Sequence, residues 1–222
     1  MTARRRLYLM RHAAVAYFDA HGRPVPPDEV ALTPEGEGQA RSAAAALDGI
    51  AFDRVVTSGL RRTLETALIV APAAEPESWP ELRELRPGSL DGIPADDREA
   101  VFTGAFAGPV PPEATFLAGE TIGSLVERVV PAAERLAGDR SWDTALAVLH
   151  GGVNRAILSY ALTGERRFFG GLEQAPACIN ILDVGDDAWV VRAVNHAPYD
   201  ALHASGRSTT MEALYAQYRP SR

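Results

Sequence analysis

Two histidines of this chain each follow directly on a short apolar run of residues. Arg11 and His12 come after LYLM, and His150 comes after TALAVL. Both runs are too short for helices and favour buried strands. If the two strands are neighbours in a parallel sheet, both imidazoles emerge at the same sheet edge, which is where open α/β sheets bind ligands.

A second arginine is expected at the same edge. Arg62 belongs to the first turn of a helix predicted after the strand FDRVVT, and a helix start adds free backbone donors and the positive end of a dipole. Two guanidiniums, two imidazoles and a helix start suit a compact, multiply charged anion, with a phosphoryl group as the obvious candidate. No Asp and Glu cluster follows a metal-binding pattern. We therefore expect no metal and no cofactor, and a positive charge supplied by the protein itself.

The composition limits the classes of protein to consider. With 222 residues, of which 46% are hydrophobic and 23% charged, the chain is typical of a globular protein with one sizeable α/β domain. Its formal charge of −7 argues against a nucleic-acid partner. It carries no apolar stretch of membrane-spanning length and no signal-peptide pattern, so we expect a cytoplasmic protein without a membrane partner. The single cysteine, Cys178, excludes an internal disulfide and a cysteine-based metal cluster.

The elements that must position these residues alternate along the chain. After the first strand, strands are predicted at residues 52–57, 144–149, 177–184 and 188–194, and the longer helices at about residues 33–47, 60–71, 121–137 and 152–162. This alternation predicts a three-layer α/β/α sandwich with a mostly parallel sheet. The turn GDD joins the last two strands and predicts an antiparallel edge. We expect one domain over residues 1–222, with an insertion at about residues 93–120 that caps the sheet.

Five motifs resemble, in order, those of the histidine phosphatase superfamily, which also contains the cofactor-dependent phosphoglycerate mutases. They are RHA, LTPEG, SGLRRTLETA, LRELRPGSLDG and LHGGVNRAIL, and the resemblance extends over about residues 7–182. It implies a phosphoglycerate mutase-like fold and a mechanism in which a histidine carries the phosphoryl group. Each motif alone is common, but their joint occurrence in this order is specific.

The resemblance also implies the site residues. His12 matches the histidine that takes the phosphoryl group, Arg11 its neighbouring phosphate ligand, Arg62 the second arginine, and His150 the second histidine. Glu84 matches the acidic residue that protonates the leaving group, with Gly88 and Gly92 at the expected spacing behind it. Arg61 falls at a variable position.

The motif after His12 departs from the family pattern and bears on the reaction. Ala13 and Ala14 stand where the family commonly has Gly and Glu, and the Trp and Asn of the mutase signature are absent. This favours a metal-independent phosphomonoester hydrolase acting on a small phosphorylated metabolite. A phosphoglycerate mutase-type phosphotransferase and a catalytically idle phosphate-binding module remain alternatives. We expect substrate specificity to reside in residues 15–31, in the insertion and in the C-terminal tail; the oligomeric state is open, a homodimer included.

Overall fold

A computed structural model of the chain describes residues 4–17, 19, 25–89, 93–94, 96–186 and 188–218. Within them, six strands form one sheet in the order β3-β2-β4-β1-β5-β6. The strands are β1 (Arg5–Arg11), β2 (Arg54–Thr57), β3 (Glu77–Ser78), β4 (Thr144–Leu149), β5 (Ile179–Val184) and β6 (Trp189–His196). Gly92 lies outside the described residues.

The sheet is mixed, as the sequence predicts. Strands β3, β2, β4 and β1 run parallel to their neighbours, whereas β5 is antiparallel to β1 and β6 is antiparallel to β5. In the pairing of β1 with β4, Arg11 lies opposite Leu149. The residues that follow these two strands, His12 and His150, therefore leave the sheet side by side.

Helices cover both faces of the sheet and begin at residues that the sequence marks. They are α1 (Pro34–Ala46), α2 (Arg61–Val70), α3 (Arg98–Thr103), α4 (Ile122–Gly138), α5 (Gly151–Thr163) and α6 (Thr210–Tyr218). The Thr33 hydroxyl caps α1 by accepting a hydrogen bond from the Gly36 N–H at 3.0 Å, and Thr121 caps α4 in the same way. Such caps satisfy backbone donors that the helix itself leaves without partners. No helix in the described part of the chain is both long and apolar enough to cross a membrane.

Two apolar clusters lie on opposite faces of the sheet. Leu9 and Leu149 pack into the cluster that includes α4 and α5 side chains, whereas Met10 and Val148 pack into the cluster that includes α1 and α2 side chains. Successive residues of a strand point to opposite faces, so strands covered on both sides are apolar throughout. The predicted α/β/α sandwich is confirmed.

One short strand lies in a segment whose composition does not favour regular structure. Residues 73–80 are rich in Pro and Glu, but they include β3, which pairs with β2, and they lead into a 3₁₀ turn at Pro80–Leu82. The Trp79 N–H donates to the Thr57 carbonyl at 2.8 Å. This short strand is stabilised by its pairing partner and not by its own composition, and it directs the chain towards Glu84.

Candidate active site

His12 and His150 lie in contact at the edge of the sheet. Their rings meet edge to face, with centroids 5.2 Å apart and planes at 67°. The backbone N–H of His12 donates to the Leu149 carbonyl at 2.9 Å. This bond connects the start of the loop after β1 to the end of β4. Both side chains are almost fully buried, at 2% and 0% exposure.

The tautomer of His12 follows from its hydrogen bond. Its Nδ1 lies 2.8 Å from the Ala13 carbonyl oxygen, and because a carbonyl can only accept, Nδ1 carries the proton. The lone pair is then on Nε2. Burial, together with the positive charges of Arg11 and Arg62, holds the pKa of His12 well below its usual 6.5, so the ring is neutral near pH 7. A neutral imidazole with a free Nε2 lone pair is a competent nucleophile.

His150 is oriented by a serine that follows β2. Its Nε2 lies 2.7 Å from Ser58 Oγ, and the Ser58 hydroxyl is 3.2 Å from Thr63 Oγ1. Thr63 donates to the Leu60 carbonyl, so the single proton of Ser58 points either to Thr63 Oγ1 or to His150 Nε2. With that proton on the His150 side, the proton of His150 is on Nδ1, a buried atom without a hydrogen-bond partner among the described residues. Burial lowers the pKa of His150 well below 6.5, because a second proton would place a charge in a buried site beside the His12 ring and the Arg62 guanidinium.

Of the two adjacent arginines at the start of α2, Arg62 is buried and Arg61 is exposed. Arg62 is 3% exposed, and its Nη1 donates to the Pro27 carbonyl at 2.7 Å, while its Nε is buried without a partner among the described residues. Arg61 is exposed and pairs with Glu65 at 2.7 Å. A buried donor without a partner is costly, so Arg62 is the one of the two that is suited to an anion in the pocket.

The guanidinium of Arg11 is hydrogen-bonded on one side, and its other side has a free donor among the described residues. Its Nη1 donates to the Gln174 carbonyl at 2.6 Å and to the Thr210 hydroxyl at 3.1 Å, whereas its Nε is buried without a partner in the described part of the protein. The guanidinium lies against the start of α5, where a Cβ on Gly151 would be 3.6 Å from Arg11 Nε and 3.1 Å from Arg155 Nη1. A glycine at this position leaves room for both guanidiniums.

Glu84 is bound at the N-terminus of α5. Its Oε1 accepts from the Leu85 N–H at 2.9 Å, and both carboxylate oxygens lie 3.2 Å from the Gly152 N. A Cβ on Gly152 would approach Glu84 Oε1 to 2.6 Å, so any side chain there would displace the carboxyl group. The carboxyl of Glu84 therefore sits beside the pocket at a positive helix end.

Arg128 of α4 holds the segment that carries Glu84. Its guanidinium donates to the carbonyls of Glu81, Arg83 and Glu84 at 2.7, 2.6 and 3.1 Å, and it pairs with Glu120 at 2.8 Å. Burial acts to raise the pKa of Glu120, but hydrogen bonds from Arg128 and from the Arg86 N–H outweigh it and lower that pKa. An ionised Glu120 fixes Arg128, and Arg128 fixes the backbone on either side of Glu84.

A cavity of about 1370 Å³ opens over these residues. One wall is aromatic: the Phe116 ring lies 5.7 Å from that of Phe102 and 5.4 Å from that of Phe106. Met211 and Leu214 of α6 line the same cavity and pack against the small apolar cluster of Phe102 and Leu117. The cationic floor and the aromatic wall would fit a phosphate group and the less polar part of an ester. Among the described residues, no three His, Cys, Asp or Glu side chains form a group that could hold a metal ion.

The two alanines after His12 are accommodated by the backbone. The Ala13 N–H donates to Thr66 Oγ1 at 3.1 Å, and the Ala14 N–H donates to Gln39 Oε1 at 3.0 Å. Ala13 is not among the residues with a positive φ, so the conformation there does not require glycine. These bonds hold the Ala13 carbonyl that sets the His12 tautomer.

The structure brings all five sequence-predicted site residues to this edge of the sheet and adds others that the sequence reasoning missed. Ser58 could have been found, because it follows β2 directly, just as His12 and His150 follow β1 and β4. Arg128 and Thr210 gave no such signal, since each acts across a long separation in sequence.

Comparison with known proteins decides the family. The model of the "Histidine phosphatase superfamily (branch 1)" matches residues 7–197. The chain belongs to this superfamily. The match covers all five site residues, and the fold prediction that rested on the motif resemblance is confirmed.

Several histidine phosphatase relatives and similar structures are known. A metal-independent phosphoserine phosphatase of Arabidopsis thaliana is 28% identical over 144 residues, which cover 62% of this chain and 58% of the length of that relative. The structure of a mycobacterial glucosyl-3-phosphoglycerate phosphatase with VO3 has a TM-score of 0.69 at 22% identity, covering 86% of this chain and 98% of that one. A phosphoglycerate mutase from Bacillus anthracis has a TM-score of 0.69 at 19% identity, covering 89% and 96% of the two chains. These structural matches show the shared fold.

Proposed function

We propose that this histidine phosphatase superfamily member is a metal-independent phosphomonoesterase that acts through a phosphohistidine on His12. The observation that carries the proposal is the state of the His12 ring: Nδ1 donates to the Ala13 carbonyl at 2.8 Å, and the unprotonated Nε2 belongs to a ring that lines the cavity beside His150 and Arg62. A neutral nucleophile among fixed cationic groups suits the attack on a phosphate dianion.

The first half-reaction transfers the phosphoryl group to the enzyme. His12 Nε2 forms a bond to phosphorus while the bond from phosphorus to the ester oxygen breaks, and the protonated Glu84 carboxyl gives its proton to the leaving oxygen, which departs as an alcohol. Arg11 Nε, Arg62 Nε and His150 Nδ1, which have no hydrogen-bond partner among the described residues, bind the phosphoryl oxygens. Fixed donors at this position stabilise the charge that shifts during transfer.

The second half-reaction releases inorganic phosphate. The Glu84 carboxylate takes a proton from water, the water oxygen bonds to phosphorus, and the bond from phosphorus to His12 Nε2 breaks. The imidazole and the protonated carboxyl are thereby restored. Dividing hydrolysis into two steps avoids a direct attack of water on the phosphate dianion.

The substrate class is a small phosphorylated metabolite. The cavity is large enough for such an ester, and relatives of this chain include a phosphoserine phosphatase and an alpha-ribazole phosphatase from Shigella flexneri. The aromatic wall formed by Phe102, Phe106 and Phe116 would lie against the leaving group. Phosphoserine and phosphorylated ribosides with an aromatic base therefore belong in a first substrate panel.

A phosphometabolite panel in the presence of EDTA tests the proposal. The wild-type protein is expected to release inorganic phosphate from at least one member of the panel, and His12→Ala is expected to release none above background. Activity that requires added metal, or that survives in His12→Ala, would refute the mechanism. A coupled mutase assay with and without the bisphosphorylated sugar acid separates hydrolysis from phosphotransfer, because a mutase returns the phosphoryl group to a sugar acid instead of to water.

A further inference from the structure

The start of α6 reaches the arginine next to the proposed nucleophile. Helix α6 begins at Thr210, and the Thr210 hydroxyl lies 3.1 Å from Arg11 Nη1. The helix start itself is specified by the neighbouring residues: the Thr209 N–H donates to the Glu212 carboxylate at 2.6 Å, and the Glu212 N–H donates to Thr209 Oγ1 at 3.2 Å. This reciprocal pair is a capping box. The contact between Thr210 and Arg11 is therefore not needed to begin the helix.

The Thr210 hydroxyl both donates and accepts a hydrogen bond. It donates to Glu173 Oε1 at 2.6 Å, and because a hydroxyl has a single proton, its lone pairs are what faces Arg11 Nη1. The Thr210 backbone N–H donates to the same carboxylate oxygen at 3.1 Å. These two hydrogen bonds to the Glu173 carboxylate fix the position of the hydroxyl that accepts from the Arg11 guanidinium.

Glu173 is in turn held by a buried arginine. Arg155 is 3% exposed, its Nη2 lies 3.0 Å from Glu173 Oε2, and its Nε donates to the Gly170 carbonyl at 2.9 Å. Burial acts to raise the pKa of Glu173, but the Thr210 hydroxyl and Arg155 outweigh it and lower that pKa. The carboxylate therefore remains charged and accepts hydrogen bonds over the neutral pH range.

A second contact completes the support of Arg11. Its Nη1 also donates to the Gln174 carbonyl at 2.6 Å, and the Gln174 side chain is fully buried and bonded to Asn154 and Asn180. With Nη1 bound on the Thr210 side, the Nε side of the guanidinium is left for the pocket, where Nε has no partner among the described residues. Arginine binds phosphate best when its planar fork is held in one orientation.

We propose that Thr210, held by Glu173, is a positioning residue that fixes the Arg11 guanidinium for phosphate, so that the C-terminal helix completes the active site. The inference rests on the proposed function, because it assigns Arg11 to the phosphoryl oxygens. Without the hydroxyl, Arg11 Nη1 keeps its bond to the Gln174 carbonyl but loses the Thr210 acceptor. Part of the ordering of the guanidinium must then come from the ligand, which weakens binding of phosphate in both the ground state and the transition state.

The test compares Thr210→Val with Thr210→Ser, because valine keeps the shape of threonine and serine keeps the hydroxyl. Orthovanadate affinity is measured by calorimetry, and kcat and KM are measured on the best substrate of the panel. Thr210→Val is expected to weaken orthovanadate binding about tenfold, to raise KM and to lower kcat/KM by about tenfold to a hundredfold, the range for a hydrogen bond to a charged group. Thr210→Ser is expected to stay within about threefold of wild type on the same scale.

A second variant and a stability measurement separate positioning from folding. Thr210→Ala also removes the hydroxyl, and alanine is well tolerated in helices, so it replaces Thr210→Val if that variant does not fold. Melting temperatures establish that each protein is folded. Wild-type affinity in both hydroxyl-free variants, or equal losses in Thr210→Ser and Thr210→Val, would overturn the inference.

The outcomes also distinguish this inference from the proposed function. If the wild type binds orthovanadate but hydrolyses no substrate, the proposed function fails, and the affinity series still decides the role of Thr210. If the wild type hydrolyses substrate and the Thr210 variants behave like it, the inference fails and the function stands. A wild type that neither binds orthovanadate nor hydrolyses substrate contradicts both.

Discussion

The rings of His12 and His150 meet edge to face with centroids 5.2 Å apart. Both rings are buried, which disfavours the protonated, charged form of either one. Burial and the neighbouring cationic groups lower the pKa of both histidines well below 6.5. In the unfolded chain the same histidines titrate near 6.5. Below that pH the unfolded chain binds more protons than the folded protein, so the free energy of unfolding decreases as the pH falls.

We expect His12→Asn to weaken this pH dependence, because an asparagine amide can still donate to the Ala13 carbonyl but does not titrate. Below pH 6.5, each non-protonated histidine contributes a slope of up to about 1.4 kcal/mol per pH unit. Urea denaturation of both proteins at pH 7.5, 6.5 and 5.5 measures the slopes. Equal slopes in the wild type and the variant would contradict the lowered pKa of His12.

Ser58→Ala is expected to lower kcat/KM by about tenfold, because it removes the hydroxyl that is hydrogen-bonded to His150 Nε2 at 2.7 Å and so releases the orientation of the ring. Ser42→Ala is a matched control, since its hydroxyl bonds to the Gly38 carbonyl within α1. Steady-state kinetics on one substrate compare the three proteins. A Ser58→Ala enzyme as active as the control would show that His150 does not depend on Ser58.

The neighbouring arginines of α2 provide a matched pair of substitutions. Arg62→Lys is expected to lower kcat/KM by about a hundredfold, since lysine cannot reproduce both the bond to the Pro27 carbonyl and the planar donors towards phosphate. Arg61→Lys keeps the charge of an exposed side chain paired with Glu65 and is expected to stay within about twofold. Similar losses in both variants would mean that Arg62 has no special role in the pocket.

The effect of Glu84→Gln on the rate of phosphoryl transfer is expected to depend on the leaving group of the ester. An amide cannot deliver the proton that an alkoxide needs, so hydrolysis of alkyl phosphates should fall by about a hundredfold or more. Formation of phosphohistidine from p-nitrophenyl phosphate should change little, since nitrophenolate leaves without protonation. Rapid-quench measurement of nitrophenol release and of alkyl ester cleavage compares the two classes. Equal effects on the first step for both esters would remove Glu84 from the role of general acid.

The sequence could predict those parts of the fold and site that depend on local patterns. The buried strands before His12 and His150 are continuous apolar runs, and Thr33 and Pro34 mark the start of α1 by their own chemistry. The motif spelling also separates Arg62 from Arg61. Each of these signals is contained within about ten residues of the chain.

Other parts depend on contacts between distant segments and could not be predicted. Strand β3 exists because it pairs with β2, and its Pro-rich and Glu-rich surroundings give no strand signal. Thr210 is 199 positions from Arg11 in sequence, so nothing near either residue indicates their contact. Arg128 is similarly remote from the Glu84 segment that it holds. Such supporting residues become visible only when the chain is folded.

The most direct measurement of the central claim is the capture of the phosphoryl group on His12. The wild type and Glu84→Gln are mixed with ³²P-labelled p-nitrophenyl phosphate and quenched in base, where phosphohistidine is stable. We predict a label that is lost in acid, that accumulates in Glu84→Gln because its second step lacks a base, and that is absent from His12→Ala. A turnover that leaves both proteins unlabelled, or a label that persists in His12→Ala, would contradict the account.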